Sequence, residues 1–279
     1  MSYKSMLTIL TDAAEVAPVL GAAIPLAAEA GAHLDVLCLG IDRTQTGYYF
    51  AGATALMHDE TIVQAKNDAT EIEAAARTEL SRSDLSWGLD ALVAQSASVG
   101  GLVARRARFA DLVILPKPYG EGRYSDAPVV VEAAMFQGQT PVIVLADGVS
   151  STCKPKRVVV GWNESNEAMA AIRRAMPMLQ SAEVVNVVII APDRHSADSS
   201  DPGAELSKML ARHGVNVEVT ILAQTLPRVS EVLTRHVADT GADMLVMGAY
   251  GHSRFREAIL GGATRNMLEH AKVPVFMAH

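Results

Sequence analysis

The sequence predicts an α/β protein built from two tandem doubly wound domains, each with a five-stranded parallel sheet, and three observations carry that expectation. The first is an internal repeat. Ala110-Asp111-Leu112-Val113-Ile114-Leu115, followed by Tyr119-Gly120, returns as Ala242-Asp243-Met244-Leu245-Val246-Met247, followed by Tyr250-Gly251. A Pro-led apolar segment closes each copy, Pro141-Val142-Ile143-Val144-Leu145 and Pro274-Val275-Phe276-Met277; the offsets of 132 at the aspartates and 133 at the prolines point to a duplication. The second is continuous apolar strands, of the kind that parallel sheets bury on both faces, alternating with segments of helical periodicity. The third is composition. With 49% hydrophobic but only 5% aromatic residues, the core is aliphatic and Met-rich, which favours helices packed on a sheet. A chain of 279 residues accommodates two domains of about 140 residues each.

Taken in order, the strands of the first half are expected near Leu7–Leu10, Leu34–Ile41, Ala91–Ala94, Leu112–Leu115 and Val142–Leu145. Between them Thr54–Leu80, rich in Ala, Glu and Gln with apolar residues at helical spacing, reads as one long helix or two. In the second half strands are expected near Val158–Gly161, Glu183–Ile190, Val217–Leu222, Met244–Met247 and Val275–Met277, with helices over Glu167–Met178, Ala204–His213 and Pro227–Thr240. The alternation implies right-handed crossovers. The polar stretch Asp147–Lys156 marks the seam, giving domains over residues 1–148 and 157–279 joined by a linker over 149–156.

Candidate chemistry concentrates after the fourth strand of the second half. Met247-Gly248-Ala249-Tyr250-Gly251 is followed, nine residues later, by Gly261-Gly262-Ala263-Thr264 and a helical pattern through Met267 and Leu268. A glycine-rich turn between strand and helix presents backbone N–H groups without Cβ obstruction at a helix start, which suits a phosphate. Loop and cap geometry alone is the competing explanation. The first half has Leu115-Pro116-Lys117-Pro118-Tyr119-Gly120 at this place, where Pro116 removes a backbone donor. Charge runs the same way: residues 1–150 carry ten Lys+Arg against eighteen Asp+Glu, residues 151–279 fourteen against thirteen. The anion-friendly half is the one with the glycines.

The spacing G-x2-G-x9-G, carried by Gly248, Gly251 and Gly261, resembles that of the nucleotide-binding universal stress proteins, with Gly262 standing where that family has Ser or Thr. The resemblance implies a Rossmann-like fold of the adenine nucleotide alpha hydrolase type and ATP or another adenine nucleotide as ligand, with or without Mg2+. It also implies a stress-response role, a degenerate first domain and an intramolecular pseudo-dimer through the final strands, a homodimer being the further assembly to consider. The implied site comprises Asn163, Ile190, Met247, Gly248, Gly251, Gly261, Gly262 and Ala263, with Ser253, Arg254 and Thr264 as additional candidates for phosphate contact. Asn163 follows the first strand of the second half, where the family carries Asp. Its amide offers a donor and an acceptor to an adenine edge. Asp12 is the counterpart in the first half, a degenerate site. Both also suit helix N-caps, with Ser165 a competing cap before Glu167.

Other functions find less support. No P-loop run and no G-x-S-x-G elbow occurs, and His252 beside Ser253 has no evident orienting acid, so no catalytic residue is assigned. The alternatives to a nucleotide-regulated protein are an interaction module that has lost nucleotide binding and a slow nucleotide hydrolase. No Cys or His cluster has zinc spacing; Cys38 lies in an apolar run and Cys153 in the seam. A net charge of −7 and a pI near 5.6 oppose nucleic acid, and Arg105, Arg106 and Arg108 read as the solvated end of a short helix. With no run of eighteen apolar residues and no basic-apolar leader, neither a membrane partner nor secretion is expected, and the cytoplasm is the default location.

Overall fold

The computed structural model describes residues 2–43, 54–148, 154–192, 203–249 and 262–279. They form two compact units, Tyr3–Thr140 and Pro141–His279.

In the first unit the strands are β1 (Ser5–Leu10), β2 (His33–Asp42), β3 (Trp87–Gln95) and β4 (Leu112–Leu115), in the order β3-β2-β1-β4, all parallel. The helices are α1 (Val16–Ala30), α2 (Thr54–Leu80), α3 (Val99–Ala107) and α4 (Ala127–Glu132), the last running on as a wider turn through Gln137. The segment Thr54–Leu80 is one helix. It lies directly on β2: a Cβ at Gly40 would fall 1.8 Å from the Ala65 carbonyl oxygen, so only glycine lets the helix backbone approach. Helix α1 is not among the elements that the sequence pattern indicates. Residues Ala13–Ala30 have a mean hydropathy of 1.4 and are long and apolar enough to cross a membrane, contrary to the expected absence of such a run. The apolarity has a core use here, because Val16, Val19, Leu20, Ala22, Ala23, Leu26 and Ala27 are all buried. Gly31, in the left-handed region, ends the helix and donates to the Ala27 and Ala28 carbonyls.

The second unit has the order β5-β10-β9-β6-β7-β8 for β5 (Val142–Val144), β6 (Arg157–Gly161), β7 (Val184–Ile190), β8 (Val217–Leu222), β9 (Met244–Gly248) and β10 (Val275–Ala278). All pairings there are parallel except β5 with β10, where Val275 faces Val144 and Met277 faces Val142. Thus β5, which the repeat assigns to the first half, groups with the second unit. Its helices are α5 (Asn166–Ser181), α6 (Ala204–Arg212), α7 (Val229–Thr240) and α8 (Ala263–His270). Helix α7 starts two residues later than expected, because Arg228 is extended and its N–H donates to the Glu231 carboxylate, closing the first turn.

The duplicated aspartates have a structural task. Asp111 accepts hydrogen bonds from the N–H groups of Lys4 and Ser5 at 2.7 and 3.1 Å, and Asp243 from those of Lys156 and Arg157 at 2.8 and 3.1 Å. Each carboxylate, just before the fourth strand of its half, thereby ties down the start of the first strand. Asp111→Ala and Asp243→Ala should each cost about 1–2 kcal/mol, the scale of one or two charge-assisted hydrogen bonds near a surface. The two tryptophans, Trp87 and Trp162, fall one in each unit, so single-Trp urea unfolding would assign each loss. An unchanged midpoint in both variants would refute the role.

Candidate functional site

In an open α/β sheet the strand order reverses at one place, and the crevice beyond the carboxyl ends of the two strands flanking it is where ligands sit. In the second unit those strands are β6 and β9, with Gly161 facing Met247. After Gly161 the Trp162 N–H donates to the Val188 carbonyl at 2.9 Å, and the chain then leaves the sheet at Asn163. Glu164 takes a positive φ of 61°, turning the chain into Ser165, whose hydroxyl accepts from the Ala168 N–H at 3.1 Å and caps α5. Ser165, not Asn163, is therefore the helix cap. The exposed Asn163 uses its Oδ1 to accept from the Ser165 N–H at 3.3 Å, and its Nδ2 has no acceptor among the described residues.

The other wall begins at Gly248. A Cβ there would lie 2.4 Å from the Ala168 nitrogen and 2.6 Å from the Glu167 carbonyl carbon, so the end of β9 rests on the first turn of α5. The fully buried Ala249 donates its N–H to the Ala278 carbonyl, and its own carbonyl is within 3.0 Å of the His279 ring nitrogen. Together these contacts fix where the chain leaves the sheet. Met247, 8% exposed, belongs to the core. Ile190 is half-buried at the end of β7; continuing the register that sets Gly161 beside Val188 brings it level with Asn163. Gly262 caps α8 and accepts from the Asn266 N–H at 3.1 Å, Ala263 is the first helical residue, and Thr264 is buried. Gly251, Ser253, Arg254 and Gly261 lie outside the described residues.

The first unit reverses between β1 and β4, and Asp12 stands beyond β1. Its Oδ1 accepts from the Ala14 N–H at 2.9 Å, so it caps the short turn Ala13–Glu15. Sequence reasoning missed the group beside it. Arg43, the residue after β2, pairs with Asp126 at 2.7 Å and stacks over the Tyr124 ring at 3.9 Å, while Arg123 pairs with Glu15. Two ion pairs thus fasten the segment between β4 and α4 back to residues just beyond the ends of β1 and β2. The signal available in the sequence was an arginine directly after a strand, which by itself names no partner.

Among the described residues no cluster of three His, Cys, Asp or Glu could hold a metal. Burial pushes the Cys38 thiol up to about 12, with the Glu73 carboxylate adding to it, so this cysteine is inert packing.

Comparison with known proteins bears on the same residues. The model of the universal stress protein family matches residues 154–279. The universal stress protein Slr1230 of Synechocystis is 25% identical over 148 residues, 53% of this chain; the match covers 45% of that protein, so less than half of its length is represented. A universal stress protein of Archaeoglobus fulgidus superposes with a TM-score of 0.67 at 16% identity, covering 98% of this chain and 95% of its own. A further crystal structure, from Pseudomonas aeruginosa, gives 0.59 at 14% identity over 99% of this chain and 93% of its own. The fold is thus matched along the whole chain, and residues 154–279, the half that carries the glycines, form the domain that the universal stress protein family model matches.

Proposed function

We propose that the second unit binds an adenine nucleotide at the carboxyl ends of β6 and β9, and that the protein acts in a stress response by changing conformation or partner with nucleotide occupancy. The observation that carries this reading is the convergence at one switch point of Asn163, with a free amide donor, and the Gly248 backbone that opens the G-x2-G-x9-G spacing. Asn163 and Ile190 would bracket the base, and the N–H groups around Gly248, Gly251, Gly261, Gly262 and Ala263 would receive the phosphates, with Ser253, Arg254 and Thr264 as further contacts. The use of Asp12 Oδ1 as a cap for the turn Ala13–Glu15 supports a degenerate, non-binding role for it.

Binding without fast hydrolysis fits the residues described. Asn163 Oδ1 and the Ser165 hydroxyl are spent on the turn and cap, and neither a phosphate lysine nor a general base is assigned. A nucleotide that binds two conformations unequally shifts their populations without turnover. One observation favours a nucleotide-free interaction module instead: Gly262 removes the hydroxyl donor found at that place in the nucleotide-binding members.

Trp162, beside Asn163, provides the readout. Titrating ATP, ADP and AMP into a Trp87→Phe background should change Trp162 fluorescence saturably, and Gly251→Val should weaken binding at least about ten-fold by blocking the backbone approach. Equal affinity in that variant would remove the phosphates from this loop; no binding in either protein would favour the interaction module. Phosphate release of about 1 s⁻¹ or faster, abolished by Gly251→Val, would make the protein an enzyme.

A further inference from the structure

Helices α7 and α8 pack side by side, and the Ser230 hydroxyl donates to Asn266 Oδ1 at 2.7 Å while the Thr234 hydroxyl touches the Met267 sulfur at 3.7 Å. These contacts align the first turns of the two helices and leave a groove between them with a volume of about 530 Å³. That is within the range of small-ligand pockets, about 300–1,000 Å³. Its floor is apolar, with Val237 and Ala242 each 6% exposed and Val273 at the far end. Its rim is cationic. Arg228, Arg235 and Lys272 are exposed there with no carboxylate partner among the described residues, against the single acid Glu231, on a chain whose net charge is −7. Among the described residues Arg235 donates only to the Thr225 hydroxyl, at 2.6 Å.

Asn266 also lines the groove: its Oδ1 accepts from the Ser230 hydroxyl, and its amide N–H groups, with no partner among the described residues, are available to a ligand. We propose that the α7–α8 groove is a second binding site, separate from the strand-end crevice, for a free amphiphile with an anionic head group and a short hydrocarbon segment. The head lies at the Arg228, Arg235 and Asn266 end, where two guanidinium groups and an amide donor suit a carboxylate or sulfate. The hydrocarbon runs along Val237 and Ala242 toward Val273, where apolar area leaves water.

Decanoate titrated into the full-length protein by calorimetry tests this, with decylamine as the charge control. One-site binding of decanoate but not of decylamine is expected, unaffected by saturating ATP or by Gly251→Val. Two variants at exposed positions address the groove without touching the core: Arg235→Glu reverses the rim charge and Ala238→Trp fills the channel. Each should weaken decanoate at least about ten-fold, the scale of one charge-assisted contact. Equal binding in both variants, equal binding of decylamine, or no saturable decanoate binding would overturn the proposal. So would co-sedimentation with phosphatidylglycerol vesicles in the absence of decanoate binding, which would indicate a membrane surface instead.

Discussion

Gly248→Ala is expected to destabilise the second unit by about 3 kcal/mol or more, the upper range for forcing atoms into a packed interior. The added methyl would sit 2.4 Å from the Ala168 nitrogen and 2.9 Å from its Cα. Both are backbone atoms in the first turn of α5, so no rotamer change relieves the contact; either the helix start or the end of β9 must move. Because Ser165 caps that same turn, displacement also loosens the chain from Asn163 to Ser165. Thermal unfolding followed by Trp162 should shift down by on the order of 10 °C, while Trp87 reports a first unit melting as before. Nucleotide affinity should fall with it; Gly251→Val is expected instead to weaken binding while the first unit stays folded. A Gly248→Ala protein that melts within about 1 °C of the wild type would mean that β9 and α5 do not press on each other at this point.

The second large effect belongs to the Arg43–Asp126 ion pair of the first unit. Asp126 is 5% exposed at its side chain and Arg43 34%. Breaking a fully buried pair costs about 3–5 kcal/mol because a charge is left without compensation. The two halves of this pair are unequal. Arg43→Met strands a buried carboxylate whose remaining hydrogen-bond partner among the described residues is the Ser125 hydroxyl at 3.3 Å, and should cost about 3 kcal/mol. Asp126→Ala leaves a guanidinium that still reaches water and lies over Tyr124, so its cost should be smaller, about 1–2 kcal/mol after allowing for solvent screening. The double variant Arg43→Met/Asp126→Leu should recover most of the loss, since an apolar pair of similar volume carries no desolvation penalty. Urea unfolding read at Trp87 distinguishes these cases. If Asp126→Ala proves the more damaging single change, the carboxylate does not owe its stability to Arg43.

Neither variant is expected to create a nucleotide site in the first unit. Pro116 still removes the backbone donor at the position that Gly248 holds in the second. The two halves differ in their loops and strand ends while sharing the same scaffold, as in doubly wound folds generally, where the sheet positions a site that the loops then make.

Local patterns determined the scaffold. Leu112–Leu115 and Val217–Leu222 are strands with the bounds their apolar runs indicate, and Thr54–Leu80 is a helix over its whole predicted span. The repeat located Asp111 and Asp243, and Gly248 stands at the end of β9, after the strand that its apolar run indicates. All of this is readable because strand and helix periodicity, turn residues and duplication are written in neighbouring positions. Helix α1 escaped because Ala-rich sequence with Pro25 inside it shows little amphipathic contrast when most of its surface is apolar. What only the tertiary structure decided are the pairings of residues far apart in the chain. Those include Asp111 with the start of β1, Gly248 against Ala168, Arg43 with Asp126, and Ser230 with Asn266. A carboxylate, glycine or asparagine reads the same in sequence whether it binds a ligand, clamps a strand or seats a helix; its role is set by the group that packing brings within about 3 Å, the reach of a hydrogen bond.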